Sequence, residues 1–120
     1  MSEHGIPHDH GHEVEKMKQY IPDVSSCTEV ADMFKQVGDP TRLRIFLLLC
    51  HYEECVSNIA ALINMSSPAV SHHLRFLKQA NIISSRRIGK EVHYKIADND
   101  LSKLVHKMID AAFDMHCDIK

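Results

Sequence analysis

The sequence of 120 residues predicts a mainly α domain carrying one small β-hairpin. Three observations predict it. Residues 58–78 read as two short helices about a tight turn at Asn64-Met65, the second polar and basic on its outer face. Residues 82–96 alternate weakly and are bent at Gly89, as a two-stranded hairpin is. Residues after Asp98 and Asn99 carry the helical stripe Leu101, Leu104, Val105, Met108, Ile109 and Ala112. Two helices about a turn, followed by a basic hairpin, make a winged helix-turn-helix, an architecture that presents its second helix to the major groove of DNA.

Taken in order, residues 1–22 read as a flexible His-rich N-terminal tail, with His4, His8, His10 and His12 set among Gly5, Pro7 and Gly11. Residues 23–120 then form one DNA-binding and dimerisation domain. A first helix runs from about Cys27 to Val37, capped by Ser25 or Ser26, with Val30, Met33, Phe34 and Val37 on a buried stripe; Gly38 ends it. Asp39-Pro40, an N-cap and a proline at the first helical position, open a second helix through Cys50. That helix is apolar nearly all round after Arg44 and should be the central core helix. A third helix spans about Ser57 to Ile63, and Ser66 or Ser67 caps a fourth, whose inward face carries Val70, His73, Leu74 and Leu77. The wing has strands at roughly 82–87 and 91–96 and a turn at Ile88-Gly89-Lys90. The expected order is therefore four helices, two strands and a final helix to about Cys117.

Charge is informative only when localised. The chain carries a formal net −2, yet residues 66–95 hold six basic side chains and one acid, a local +5 that leaves −7 for the rest. Phosphate affinity needs a basic face rather than a basic protein. Within that segment Ser66, Ser67, Ser71, His72, Arg75 and Lys78 fit the recognition helix, and Arg86, Arg87 and Lys90 fit the wing. His73 falls on the apolar face, where a hydrogen-bonded core histidine is expected. Arg86 and Arg87 point to opposite faces of a strand, so one tracks DNA while the other pairs or packs. No apolar run reaches the roughly 18 residues of a membrane span. A cytoplasmic location is expected, with Cys27, Cys50, Cys55 and Cys117 as thiols rather than a disulfide framework. No nucleophile elbow, phosphate loop or paired catalytic carboxylates are present, so no enzyme is expected.

The segments Gly38-Asp39-Pro40-Thr41-Arg42-Leu43-Arg44-Ile45, Ser67-Pro68-Ala69-Val70-Ser71-His72-His73-Leu74-Arg75-Phe76-Leu77-Lys78 and Arg86-Arg87-Ile88-Gly89-Lys90-Glu91-Val92-His93-Tyr94 resemble the ArsR/SmtB family of bacterial winged-helix repressors over about residues 26–117. The resemblance implies a homodimer joined by its first and last helices, a double-stranded operator with inverted half-sites, and release by a metal ion or metalloid. The family's two metal-site patterns are both broken here. Glu54-Cys55-Val56-Ser57 keeps one cysteine of a Cys-x-Cys pair, and Asp98-Asn99-Asp100 lacks the histidine of an Asp-x-His.

Two replacement clusters are legible. On a helical wheel His106, Asp110 and Cys117 fall in one narrow sector beside the apolar stripe, a donor set suited to zinc or a similar borderline metal. Cys50, His51 and Cys55, at the end of the core helix, would suit a thiophilic metal or metalloid. The expected function is a homodimeric DNA-binding repressor released by such an ion. One alternative replaces the ion with a redox signal on Cys50, Cys55 or Cys117. Another keeps the fold as a protein-interaction module without DNA binding, against which the basic segment argues.

Overall fold

The computed structural model describes residues 5–117, and the side chains of 5–116. Its chain divides into two units, residues 1–31 and 32–120. In the first lies α1 (Val14–Lys18), a five-residue helix in the stretch expected to be a tail. Two i,i+3 ion pairs along it, Lys16 to Glu13 at 3.4 Å and Lys18 to Glu15 at 3.6 Å, supply the local support that composition alone does not advertise. His4 lies outside the described residues.

Helix α2 (Val24–Val37) starts three residues before the expected point. Its cap is Asp23, not Ser25 or Ser26: the Asp23 carboxylate accepts from the Ser26 amide at 3.0 Å and the Ser26 hydroxyl at 2.7 Å. Asp and Ser cap helices about equally well, so the choice falls to the side chain that the fold aims at those orphan N–H groups. Met33 and Val37 pack against the core, but Val30 and Phe34 stay 53% and 49% exposed, so the expected buried stripe is only half covered within one chain.

Helix α3 (Pro40–His51) forms as its sequence dictates. Asp39 caps it, its carboxylate accepting from the Arg42 amide at 3.0 Å, and Ile45, Phe46 and Leu49 are sealed in the core. Around α3 pack α4 (Val56–Ile63), which buries Ile59 and Ala60, and α5 (Ser67–Gln79), which buries Val70, Leu74 and Leu77. The turn between α4 and α5 depends on Asn64. Its φ of 58° is left-handed, a conformation asparagine tolerates well, and it lets the Met65 amide reach back to the Ala60 carbonyl at 3.0 Å.

The wing is a three-stranded sheet in the order β1-β3-β2, not two strands. Antiparallel β2 (Ile83–Ile88) and β3 (Glu91–Ile96) pair from Ile83 opposite Ile96 to Ile88 opposite Glu91. Two residues remain for the turn, and Gly89 takes φ 62° at the first of them, as a type II′ hairpin requires. The added strand, β1 (Glu54–Cys55), lays Glu54 opposite Tyr94 and Cys55 opposite His93. Two residues are too few to show a period in sequence.

Helix α6 (Asp100–Cys117) is capped by Asn99, whose side-chain oxygen accepts from the Ser102 amide at 2.8 Å. Ser102 is fully buried, its hydroxyl held by the Ala97 and Asn99 carbonyls. Val105 seals the core side of α6, with Leu101 and Ile109 packed beside it. The flank of α6 next to this core side keeps Leu104, Met108 and Met115 54%, 36% and 70% exposed. These stand at i, i+4 and i+11, a second apolar face that one chain leaves in water. No helix among the described residues is long and apolar enough to cross a membrane.

Candidate nucleic-acid interface and effector residues

Helix α5 projects because its inner face is committed to the core. Ser66 caps it, its hydroxyl oxygen accepting from the Ala69 amide at 3.3 Å. The expected contact residues Ser67, Ser71, His72, Arg75 and Lys78 are all exposed. Ser67, Ser71, Arg75 and Lys78 recur at i, i+4, i+8 and i+11 and so form one outward stripe. Lys78 Nζ donates to the Ser85 hydroxyl at 2.7 Å, tying the end of this stripe to the wing.

On the wing the two arginines divide as their alternation predicts. Arg86 is the paired one: its Nε and Nη2 grip both carboxylate oxygens of Glu53 at 2.9 and 2.5 Å. That grip holds the Glu53 carboxyl below the usual carboxylate range. Arg87 and Lys90 are exposed beside the turn, and Arg87 Nε braces it by donating to the Gly89 carbonyl at 3.3 Å. Glu53, as Arg86's partner, was not legible from sequence, since 33 residues separate them.

A second feature that sequence reading missed lies behind α5. Arg42 Nε donates to His73 Nδ1 at 3.1 Å, Arg42 Nη1 donates to the Gln36 side-chain oxygen at 2.9 Å, and the guanidinium carbon sits 4.1 Å from the centre of the Phe76 ring. His73 is thus the hydrogen-bonded inner histidine expected, and its side chain is only 16% exposed.

The candidate effector residues regroup. Cys55 is buried and parts company with Cys50 and His51; it lines a hollow with Val56, Ser57, Lys90, Glu91 and Val92 beneath the wing tip. His51 instead meets His106, ring edge to ring face at 5.4 Å between centres. His106 Nε2 lies 3.2 Å from Asp110 Oδ2, but off hydrogen-bond geometry, so this buried nitrogen has no bonded partner. Burial, and then the Asp110 charge, pushes the half-buried Cys50 thiol up to about 12. It is therefore protonated at neutral pH and a poor nucleophile. His116 lines an apolar hollow with Leu43, Ala112 and Phe113. The side chain of Cys117 lies outside the described residues. Among the described residues no three His, Cys, Asp or Glu side chains stand together as a closed metal site.

An exposed polar helix backed by a core helix and flanked by a basic-tipped wing defines a winged helix-turn-helix, the architecture of DNA-binding regulators. Comparison with known proteins agrees. The model of the "Bacterial regulatory protein, arsR family" matches residues 39–85. The chain is 36% identical over 100 residues to a transcriptional repressor SmtB homolog of Synechocystis sp., covering 81% of this chain and 76% of that protein. It is 35% identical over 82 residues to the arsenical resistance operon repressor of Escherichia coli, covering 68% and 69%. Among solved structures, a homodimeric winged helix-turn-helix DNA-binding domain from Mycobacterium bovis, a possible ArsR-family regulator, superposes with a TM-score of 0.69 at 26% identity, over 80% of this chain and 90% of that one. The chain belongs to the arsR family of bacterial transcriptional regulators.

Proposed function

We propose that the protein is a homodimeric repressor that grips an inverted-repeat operator and is released from it by a metal or metalloid ion. The observation that carries the DNA arm is the exposed Ser67-Ser71-Arg75-Lys78 stripe on α5, with Arg87 and Lys90 at the wing turn. Ser71, His72 and Arg75 read base edges; Ser66, Ser67, Lys78, Arg87 and Lys90 position the protein on phosphates, while Arg86, held by Glu53, braces the wing. The uncovered apolar face of α6 supports dimerisation. In this reading residues 23–120 carry both tasks and residues 1–22 form a separate His-rich arm.

The ion arm is supported by a relative whose name states arsenical resistance, and by a place where donors gather across two elements. His51 from α3 and His106 and Asp110 from α6 approach, and the buried, unbonded His106 Nε2 is the mark of a group that wants a ligand. The 3.2 Å between His106 Nε2 and Asp110 Oδ2 matches the edge of about 3.3 Å expected between two donors on tetrahedral zinc. Three donors do not close around one point in a single chain, so a second copy completes the set across α6. Cys50, beside Asp110, would join only by losing its proton. A bound cation would tie the end of α3 to the middle of α6 and change the spacing of the two reading helices, which must both fit at once.

The test uses the metal-free full chain on a duplex spanning the region upstream of its own gene, titrated separately with zinc, cadmium, copper(I), nickel and arsenite. At least one ion should weaken binding by about 5- to 150-fold, the usual range of allosteric coupling. The His51→Ala and His106→Ala variants should bind the duplex normally and lose that response. Binding unmoved by all five ions sinks the metal arm and leaves the DNA arm standing.

A further inference from the structure

Between α3 and the recognition helix the chain builds a contact that no local motif requires. Arg42 lies on the first turn of α3; its Nε donates to Nδ1 of His73 at 3.1 Å, and its guanidinium stacks over Phe76 at 4.1 Å. Both partners belong to α5. They stand one turn apart on the side away from the exposed stripe, so a single planar group engages the recognition helix at two points. The other end of the same guanidinium is anchored to Gln36 of α2 at 2.9 Å, and the Arg42 amide is held by Asp39 at 3.0 Å. Next door, His72 rests edge-on against the other partner, Phe76, at 4.8 Å between ring centres. The clasp therefore reaches an outward side chain of α5 through a single ring.

We propose that Arg42 and His73 are positioning residues for DNA recognition: a clasp that sets the rotation of α5 about its own axis, and with it the aim of Ser71, His72 and Arg75. The proposal rests on the reading of α5 as the recognition helix. Phase explains why such a clasp matters. Neighbouring residues on a helix are separated by about 100°, so a rotation of even a fifth of that displaces every contact on the stripe together. The core face of α5 is held by Val70, Leu74 and Leu77, contacts without direction of their own; the planar fork adds a directional restraint midway along the helix, as the Lys78–Ser85 hydrogen bond does at its end.

The chemistry of the contact fixes a protonation state. His73 Nδ1 accepts from a cationic donor, so it carries no proton, and a protonated ring would set two donors against each other. The charged and titratable groups facing it are Arg42 of α3, Asp39 at the α3 cap, whose Oδ2 lies 3.8 Å from Nδ1, and its own neighbour His72; Gln36 of α2 is neutral. Burial first, and the Arg42 and His72 charges after it, favour the neutral ring, and the Asp39 carboxylate opposes them. The net direction is downward from the usual histidine value of about 6.5. The clasp is thus intact at neutral pH and opens as the pH falls below that value.

Fluorescence anisotropy on the same upstream duplex, with the full-length dimer, tests the proposal. Arg42→Ala and Arg42→Lys should each lower affinity by about tenfold or more, because lysine keeps the charge but not the fork or the stacking face. The dependence of affinity on salt should keep its slope, since no phosphate contact is lost. A slope reduced by about one for Arg42→Ala would make Arg42 a direct phosphate ligand and overturn the clasp. His73→Asn, which retains an acceptor and cannot titrate, should bind like the wild type at pH 7.5. The ratio of its affinity to that of the wild type should rise as the pH is lowered from 7 to 5. A ratio flat across this range, or Arg42 variants that lose only thermal stability and bind normally, also overturns the proposal. If the wild type itself does not bind the duplex, it is the DNA-binding reading that fails.

Discussion

Replacing Ser71, His72 and Arg75 together with alanine will cost at least about a hundredfold in affinity for the upstream duplex, while the dimer stays folded. Each good base contact contributes about 1–3 kcal/mol of discrimination, so the low end for all three together, about 3 kcal/mol, already reaches that loss. The fold should tolerate the change because all three side chains are exposed and none takes part in the α5 cap, which belongs to Ser66. What remains should be the nonspecific affinity supplied by Lys78, Arg87 and Lys90, steep in salt and indifferent to sequence. Gel shifts with the upstream duplex and an unrelated duplex of equal length measure both quantities. A triple variant that retains full preference for the upstream sequence would move recognition to another surface.

Splitting the dimer should be as damaging without touching the reading head. Leu104→Glu with Met108→Glu places two carboxylates on the face of α6 that one chain leaves exposed, so the monomer core, sealed by Val105, is not disturbed. Circular dichroism should be unchanged and sedimentation should report a monomer. Linking two binding modules raises avidity by about 10²–10⁴ over either alone, and this is the size of the expected loss on an inverted repeat. Affinity for an isolated half-site should hardly change. If the double variant sediments as a dimer, the subunits join elsewhere and the exposed α6 face needs another explanation.

Much of this molecule could be read from local chemistry. Asp39-Pro40 announces α3, Asn64 the turn before α5, and Gly89 the wing, because each acts through its own backbone conformation or a hydrogen bond within a few residues. Asp23 was passed over as the α2 cap because two serines next to it offered the same function, and only the folded geometry chooses between them. Strand β1 escaped because two residues carry no period, although their pairing with Tyr94 and His93 turns the hairpin into a three-stranded sheet.

Partnerships across the chain were the other blind spot. The alternation of Arg86 and Arg87 shows that one must pair, but nothing in sequence points to Glu53. The effector clusters illustrate the same limit. Helical phase placed His106 beside Asp110 correctly, yet proximity in sequence joined His51 to Cys55, whereas the end of α3 delivers His51 to His106 and strand β1 carries Cys55 under the wing. Arg42 stood inside the most recognisable motif of the chain and still hid its task, because His73 lies 31 residues away.

The central claim is that two copies of α5 enter successive major grooves on one side of a duplex. Hydroxyl-radical footprinting of the wild-type dimer on the DNA upstream of its own gene tests it most directly. The account predicts two protected patches of equal strength, their centres one helical turn or a whole number of turns apart, roughly 10–10.5 base pairs per turn. A single patch at concentrations where the protein is dimeric, or two patches on opposite sides of the duplex, would contradict it.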